Sequence, residues 1–471
     1  MAAVAFLTPV KDVFQFLEDT TTVKITFAMG SGNYASIRAI ARVGIGGGLL
    51  AGVFGALLMS VLAAWPSAIE FLLAPGAAQA QLENPGCSLL PSAAEVVDTA
   101  RGLWLLTCWA WPFQFCAMVL TGLLMGAREF GLFGLVAICS QLTMVLTWFL
   151  GPKPQNLDLL GLSTFMSSLV LCIGLALAIY WNRPLRRKYG LLHDESSSLA
   201  GFDTGGDTQK TALVDGFLAM TLDLVLQAAG TIAVFVAGFL SLQDMYQLSA
   251  AGAALPQYTA YATGLGYIIK LAGSALVGHG AYSAFAKLIW MMVALSVVLG
   301  VIAGAAILPY TTVLAAFYGA QACEFASKRE CLGVYSGLFG DGVGMVSESH
   351  TIFNTFTAFG VAAMFTCVFS VVKAGLYACQ DFAFMAKASL ATFVCVFLPA
   401  LLIARLYFAS ATALFVASVL PTWILTGRFL LRLRENLRQM MQGRPGPWMR
   451  TSSPPLAASD RSGAAVNMVE R

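Results

Sequence analysis

The chain has 471 residues, 58% of them hydrophobic and only 11% charged, with a mean hydropathy of +0.77 and a net charge of +3. Apolar runs of about 20 residues recur along it, each long enough to cross a bilayer core as a helix, so a soluble globular chain is excluded. The runs are continuous rather than alternating, which excludes a β-barrel. Basic residues gather at helix ends and not in one patch, which argues against nucleic acid as a partner. The expected class is an all-α polytopic membrane protein.

In chain order, Met1 to Met29 carries Lys11, Asp12, Glu18, Asp19 and Lys24, too many charges for a secretory signal peptide. Asp12 to Met29 reads as a polar, weakly apolar helix. Gly30-Ser-Gly-Asn-Tyr34 is a turn, and Ile37 to Trp65 is a long span with Gly44, Gly46, Gly47, Gly48 and Gly52, small residues that let membrane helices approach closely. Pro66 to Thr99 carries acids and no Lys or Arg, which places it outside. Leu103 to Met125, interrupted by Pro112, spans next; Arg128 and Glu129 mark an inner turn; Leu132 to Leu150 and Leu160 to Tyr180 complete the first half. A basic linker follows with Arg183, Arg186, Arg187 and Lys188, cytoplasmic by the positive-inside rule.

The second half repeats this plan. Ala212 to Leu242, Tyr258 to Leu276 and Leu288 to Leu308 span, Gln321 to His350 is a long outer loop, and Thr357 to Tyr377, Met385 to Leu402 and Tyr407 to Leu425 span again. That makes about eleven crossings. Arg428, Arg432, Arg434 and Arg438 then fall on the same side as the linker. The expected divisions are an N-terminal helical lobe (1–181), a cytoplasmic linker (182–210), a C-terminal helical lobe (211–426), a basic amphipathic helix on the inner membrane face (427–443) and a disordered Pro- and Ser-rich tail (444–471).

Gly30, Gly32, Tyr34 and Gly52 line up with Gly278, Gly280, Tyr282 and Gly300 at one constant offset. Phe113, Leu124, Glu129 and Phe130 line up with Phe365, Leu376, Asp381 and Phe382 at a nearly equal one. With equal span order, this indicates a parallel duplication, a habit of secondary transporters that bind substrate between the halves.

The chain resembles the multidrug and toxic compound extrusion (MATE) family of the multidrug/oligosaccharidyl-lipid/polysaccharide exporter superfamily. The residues that carry the resemblance are Gly30-Ser-Gly-Asn-Tyr-Ala-Ser-Ile-Arg-Ala-Ile-Ala-Arg42, Leu120-Thr-Gly-Leu-Leu-Met-Gly-Ala-Arg-Glu129 and Val372-Lys-Ala-Gly-Leu-Tyr-Ala-Cys-Gln-Asp381, together with the span order over residues 12 to 440. The resemblance implies two pseudo-symmetric bundles and an alternating-access antiporter. Such a protein exports organic ions, drugs or metabolites against protons or sodium. The chain departs from the family twice: the family's first helix has no counterpart, and the tenth-helix region Phe365 to Lys373 lacks the acid that members often place there.

Asp223 sits mid-span in Met220-Thr-Leu-Asp-Leu-Val-Leu-Gln227, where facing lipid would cost a carboxylate roughly 2.5 kcal/mol or more. It should face the interior, either as the coupling carboxylate or as a structural one paired with a neighbour such as Lys270. Gln227 and Thr231 extend its polar stripe at helical spacing. Lys270 and Lys373 either snorkel to an interface or line the substrate cavity. Glu18 and Asp19 are first-lobe ion-coupling candidates, and Gln114 a cavity residue or a helix-to-helix hydrogen-bond partner.

Of the ten cysteines, Cys87, Cys323 and Cys331 fall in the outer loops, as a disulfide pair among them or as free thiols. Three scattered histidines argue against a metal site. No GxSxG, HExxH or Walker loop occurs, so an enzyme is not expected. The expected partners are the lipid bilayer and a small organic substrate, with no cofactor beyond the coupling ion, in a monomer whose linker and C-terminus face the cytoplasm; the sequence leaves plasma and organelle membranes open. The rival readings are a lipid or lipid-linked sugar flippase and a non-transporting, shortened relative.

Overall fold

The computed structural model describes residues 2–65, 67, 93–151, 157–182, 204–240, 242–310 and 355–447, and no strand occurs among them. The first lobe contains α1 (Ala2–Asp12), joined through a short 3-10 turn to α2 (Phe16–Ser31), then α3 (Tyr34–Ala63), α4 (Ala93–Gly126), α5 (Phe130–Leu150) and α6 (Leu157–Trp181). The second lobe contains α7 (Thr204–Gly238) and a long segmented helix made of α8 (Leu242–Tyr258), α9 (Ala260–Ile268), a π turn (Ile269–Gly273) and α10 (Ser274–Gly278). It continues with α11 (Tyr282–Ile307), α12 (Thr355–Ala378), α13 (Phe382–Thr392), α14 (Leu398–Ile403) and α15 (Ala411–Met441).

Among the described residues, ten helices are long and apolar enough to cross a membrane. On α5, Leu135, Ile138, Leu142, Leu146 and Phe149 are all exposed. In water such a face would be a large unpartnered apolar patch; in a bilayer it is the lipid contact. The chain is an integral, multi-pass membrane protein. The expected crossing at Asp12–Met29 is helical but broken by the 3-10 turn Val13–Gln15, which leaves α2 with 16 residues, too short to stand among the ten.

The duplication is visible in atomic detail. α2 ends on Gly32 (φ 74°) with Asn33 N–H donating to the Ala28 carbonyl at 2.9 Å; α10 is followed by Gly280 (φ 76°) with Ala281 N–H donating to the Leu276 carbonyl at 2.9 Å. These are the same left-handed helix stop, built twice with the residue type that needs no Cβ there. α4 and α12 end alike on Arg128 (φ 64°) and Gln380 (φ 56°), with Glu129 N–H donating to Leu124 and Asp381 N–H to Leu376. Neither position is glycine, so each turn spends roughly 1–2 kcal/mol of backbone strain on redirecting the chain.

Glycines set how closely the helices pack. A Cβ on Gly52 would lie 2.4 Å from Pro112 Cα, so α3 and α4 touch backbone to backbone at the proline. Its repeat partner, Gly300, brings α11 onto α12 with the same economy, 2.9 Å from the Met364 carbonyl. Between the lobes, a Cβ on Gly30 would lie 2.5 Å from the Ala275 carbonyl and one on Gly278 2.6 Å from the Phe27 carbonyl. The offset of the repeat relates these two contacts, so α2 and α10 cross at its pseudo-two-fold axis. Val23 and Phe27 of α2 belong to the same buried cluster as Leu222, Ile269, Val277, Phe285 and Tyr377 of the second lobe.

Several sequence expectations change in detail. Residues 427–443 are not a separate helix on the membrane face: α15 runs unbroken from Ala411 to Met441, and Phe429, Leu433, Leu437 and Met440 are buried in the core. Their stripe is apolar because it packs on the lobe. α7 begins at Thr204, inside the expected linker, and α8 adds helix ahead of the Tyr258 start. The last two spans meet at Ala409 (φ 44°) and Ser410, whose hydroxyl accepts from Ala413 N–H as the N-cap of α15. The basic cluster 183–188, Cys87, Cys323, Cys331 and most of the expected tail lie outside the described residues.

Replacing Gly30 or Gly278 with valine drives a side chain into a backbone carbonyl across the lobe contact. Each variant should lose about 1–3 kcal/mol, read as a lower unfolding midpoint in detergent. Gly46→Val, whose Cβ position meets nothing within 4 Å, should stay within about 0.5 kcal/mol.

Candidate functional site

From Glu18 to Lys24, α2 reads Glu-Asp-Thr-Thr-Thr-Val-Lys, and Asp19, Thr20, Thr21, Thr22 and Lys24 are all buried. A helix this polar cannot face lipid, where each charge costs several kcal/mol. It is held instead between α4 of its own lobe and the second lobe.

Three ion pairs line this region. Lys270 Nζ donates to Asp19, joining the second lobe to the first. Lys24 Nζ lies 2.6 Å from Asp215 Oδ2, joining α2 to α7. Lys373 Nζ of α12 lies 2.7 Å from Asp223 Oδ1 of α7, inside the second lobe. Asp19, Asp223 and Lys270 are 2%, 5% and 7% exposed, so all three have left solvent. A charge at that depth is tolerated only when paired.

The pairs are linked through aromatic rings. Lys270 Nζ lies 4.6 Å from the Tyr267 ring centroid and 5.6 Å from that of Tyr377. Lys373 Nζ lies 5.6 Å from Tyr377 as well, so one ring faces both ammonium groups. Lys270 occupies the π turn, an irregularity that re-aims side chains and recurs at functional sites. Asp223 Oδ2 and the Tyr377 hydroxyl make no hydrogen bond among the described residues. Buried polar atoms are seldom left so, and these two are available to a ligand.

Glu18 differs from the aspartates. Among the described residues it takes no ammonium partner in an ion pair; it accepts from the Tyr267 hydroxyl across the lobe contact and from Gln15 Nε2 at 3.0 Å.

The structure brings Glu18, Asp19, Asp223, Lys270 and Lys373 into one region. Lys270 points inward to Asp19 rather than to Asp223 or to an interface, and the partner of Asp223 is Lys373. Gln227 lies one turn beyond Asp223, but the Thr231 hydroxyl is spent on the Gln227 carbonyl at 2.9 Å. Gln114 stands apart, donating to Ser168 at 2.9 Å between α4 and α6. No cluster of three or more metal-ligating side chains occurs among the described residues.

Sequence reasoning missed the Lys24–Asp215 pair, Tyr267 and Tyr377. A signal existed for the tyrosines: each stands three or four residues from a lysine on the same helix, where side chains meet. It also missed the Asp381 clasp, in which Arg432 (2.7 Å) and Asn436 (3.0 Å) of α15 hold the turn after α12.

No family model matches the sequence, and no curated protein is similar to it in sequence. Solved structures do share its fold. The eukaryotic MATE transporter AtDTX14 superposes with a TM-score of 0.67 at 12% identity, over 94% of this chain and 89% of that one. The Vibrio cholerae MATE transporter VcmN in its bent form gives 0.58 at 15% identity, over 94% and 90%. A Pyrococcus furiosus transporter of the MOP superfamily, described as having a binding pocket of reverse polarity, gives 0.59 at 14% identity, over 93% and 88%. The chain has the fold of the MATE transporters.

Lys373→Met should destabilise the protein by about 3–5 kcal/mol, because it strands a buried carboxylate. Adding Asp223→Leu should recover most of that loss, since both members of the pair are then apolar. Chemical unfolding in mixed micelles measures both. Lys11→Ala breaks the half-exposed Lys11–Asp12 pair and should change stability by less than about 1 kcal/mol.

Proposed function

We propose that this chain is a MATE-type secondary transporter, an antiporter that exports organic ions, drugs or metabolites in exchange for protons or sodium. Two lobes related by duplication rock about the α2–α10 crossing and expose the polar region between them to each side in turn. The observation that carries the reading is the Asp19–Lys270 pair: a buried charge pair that spans the two lobes and can form only while they are closed there. Energy invested in bringing such charges together is returned when a bound ion or substrate replaces one partner.

The linker and the end of α15 belong on the cytoplasmic side by their basic residues. The crossing and the ion pairs between lobes then close the cytoplasmic half. The placing of Asp223 and Lys373 side by side, where MATE members often have two acids, suits an organic substrate with both donor and acceptor groups. Every lysine of the region is neutralised by a carboxylate, which disfavours the anionic head group a lipid-linked sugar flippase would hold.

The test is efflux of fluorescent organic cations and anions from proteoliposomes containing the full chain. An imposed pH or sodium gradient should accelerate efflux of at least one dye, and dissipating the gradient with an ionophore should abolish the acceleration. Absence of flux for every dye under both gradients, with the protein folded, would identify a non-transporting relative. Flux of a fluorescent lipid without any gradient would identify a flippase.

A further inference from the structure

Four carboxylates and three ammonium groups gather at and beside the lobe contact: Glu18, Asp19 and Asp215 with Lys24 and Lys270 across it, and Asp223 with Lys373 within the second lobe. Each aspartate has its own lysine. A proton placed on any of them would leave a buried ammonium unpaired, a state the surrounding apolar helices oppose. A proton on Glu18 leaves every pair intact and cancels the one negative charge in excess. Glu18 is also partly accessible, unlike the buried Asp19 and Asp223.

We infer that Glu18 is the carboxyl that binds the coupling proton, and that Tyr267 and Gln15 read its charge. This rests on the proposed antiport and names its ion as the proton. Ionised, Glu18 accepts two hydrogen bonds, one from Gln15 in its own lobe and one from Tyr267 in the other. Bonds to a carboxylate are roughly twice as strong as neutral ones. When a proton joins Glu18, the bridge to Tyr267 loses its charge assistance, and the lobe contact weakens at the start of α2, away from the α2–α3 and α10–α11 turns. Proton binding thereby favours opening at that end, and proton release favours closure.

The groups facing Glu18 fit this role from every element around it. Asp19 follows it on α2 but is held by Lys270 of the π turn. α9 supplies Tyr267, and the 3-10 turn supplies Gln15. α4 presents Gly122 against the Glu18 backbone, where a Cβ would lie 2.8 Å from its carbonyl oxygen. Tyr377 and Lys373 of α12 and Asp223 and Asp215 of α7 form the outer ring, in which both aspartates are already paired.

The experiment is infrared difference spectroscopy of the full chain in nanodiscs across a pH titration, with transport measured in parallel. The parent should show a carboxyl C=O band that titrates. Glu18→Gln, near-isosteric and expected to keep the parental unfolding midpoint, should lose that band; Asp223→Asn should retain it. Acceleration of dye efflux by a pH gradient should fall by about tenfold or more in Glu18→Gln. Tyr267→Phe should keep the band but shift its midpoint. A band that survives in Glu18→Gln, or vanishes in Asp223→Asn, overturns the assignment, as does gradient-driven flux of parental size in Glu18→Gln. A parent with a Glu18-dependent band and no flux would instead overturn the antiport reading and leave the proton site standing.

Discussion

The structure depends on one constraint: a charged side chain drawn out of water into a membrane bundle must be neutralised where it lies. α2 carries Asp19 and Lys24 out of solvent with Glu18 beside them, and the second lobe answers with Lys270, Asp215 and Tyr267. These contacts require α2 to sit against the second lobe with its polar face inward. The glycine crossing supplies the closeness: at Gly30 and Gly278 the two backbones meet with no side chain between them. Electrostatic pairing and steric fit therefore support the same arrangement of the lobes.

The rest of each lobe serves to hold that contact. α4 and α12 are the most buried of the spanning helices, and each is packed by a glycine-bearing neighbour, α3 or α11. The outermost helices, such as α5, contribute mainly a lipid-facing surface. The Arg432–Asp381 clasp ties α15 to the turn after α12, so the helix that carries Lys373 is fixed at its end as well as along its length.

Much of the fold was legible in the sequence because its signals are local. Apolar runs marked the spans, and Gly32 and Gly280 marked matching stops. The constant spacing of glycines revealed the repeat that the paired turns display. The polar character of Asp12–Met29 showed directly, although its role in the lobe contact did not. What failed to show was pairing between helices distant in the chain. Lys270 was the neighbour expected for Asp223 and Lys373 is the one that pairs with it, because hydropathy says nothing about which helix faces which. The π turn, which sets the direction of Lys270, leaves no mark in composition. Residues 427–443 misled for a related reason: an apolar stripe opposite arginines looks the same whether it meets lipid or the core of a lobe.

The offset that aligns Gly30 with Gly278 also aligns Asp19 with Tyr267 and Thr22 with Lys270. The ion pair thus joins positions that the repeat makes non-equivalent, acid on one copy and base on the other. Two identical halves meeting about a true two-fold axis would carry the same residues at both copies of each position. The charge division seen here is open only to halves that differ in sequence, as the two lobes of this chain do at both members of the pair.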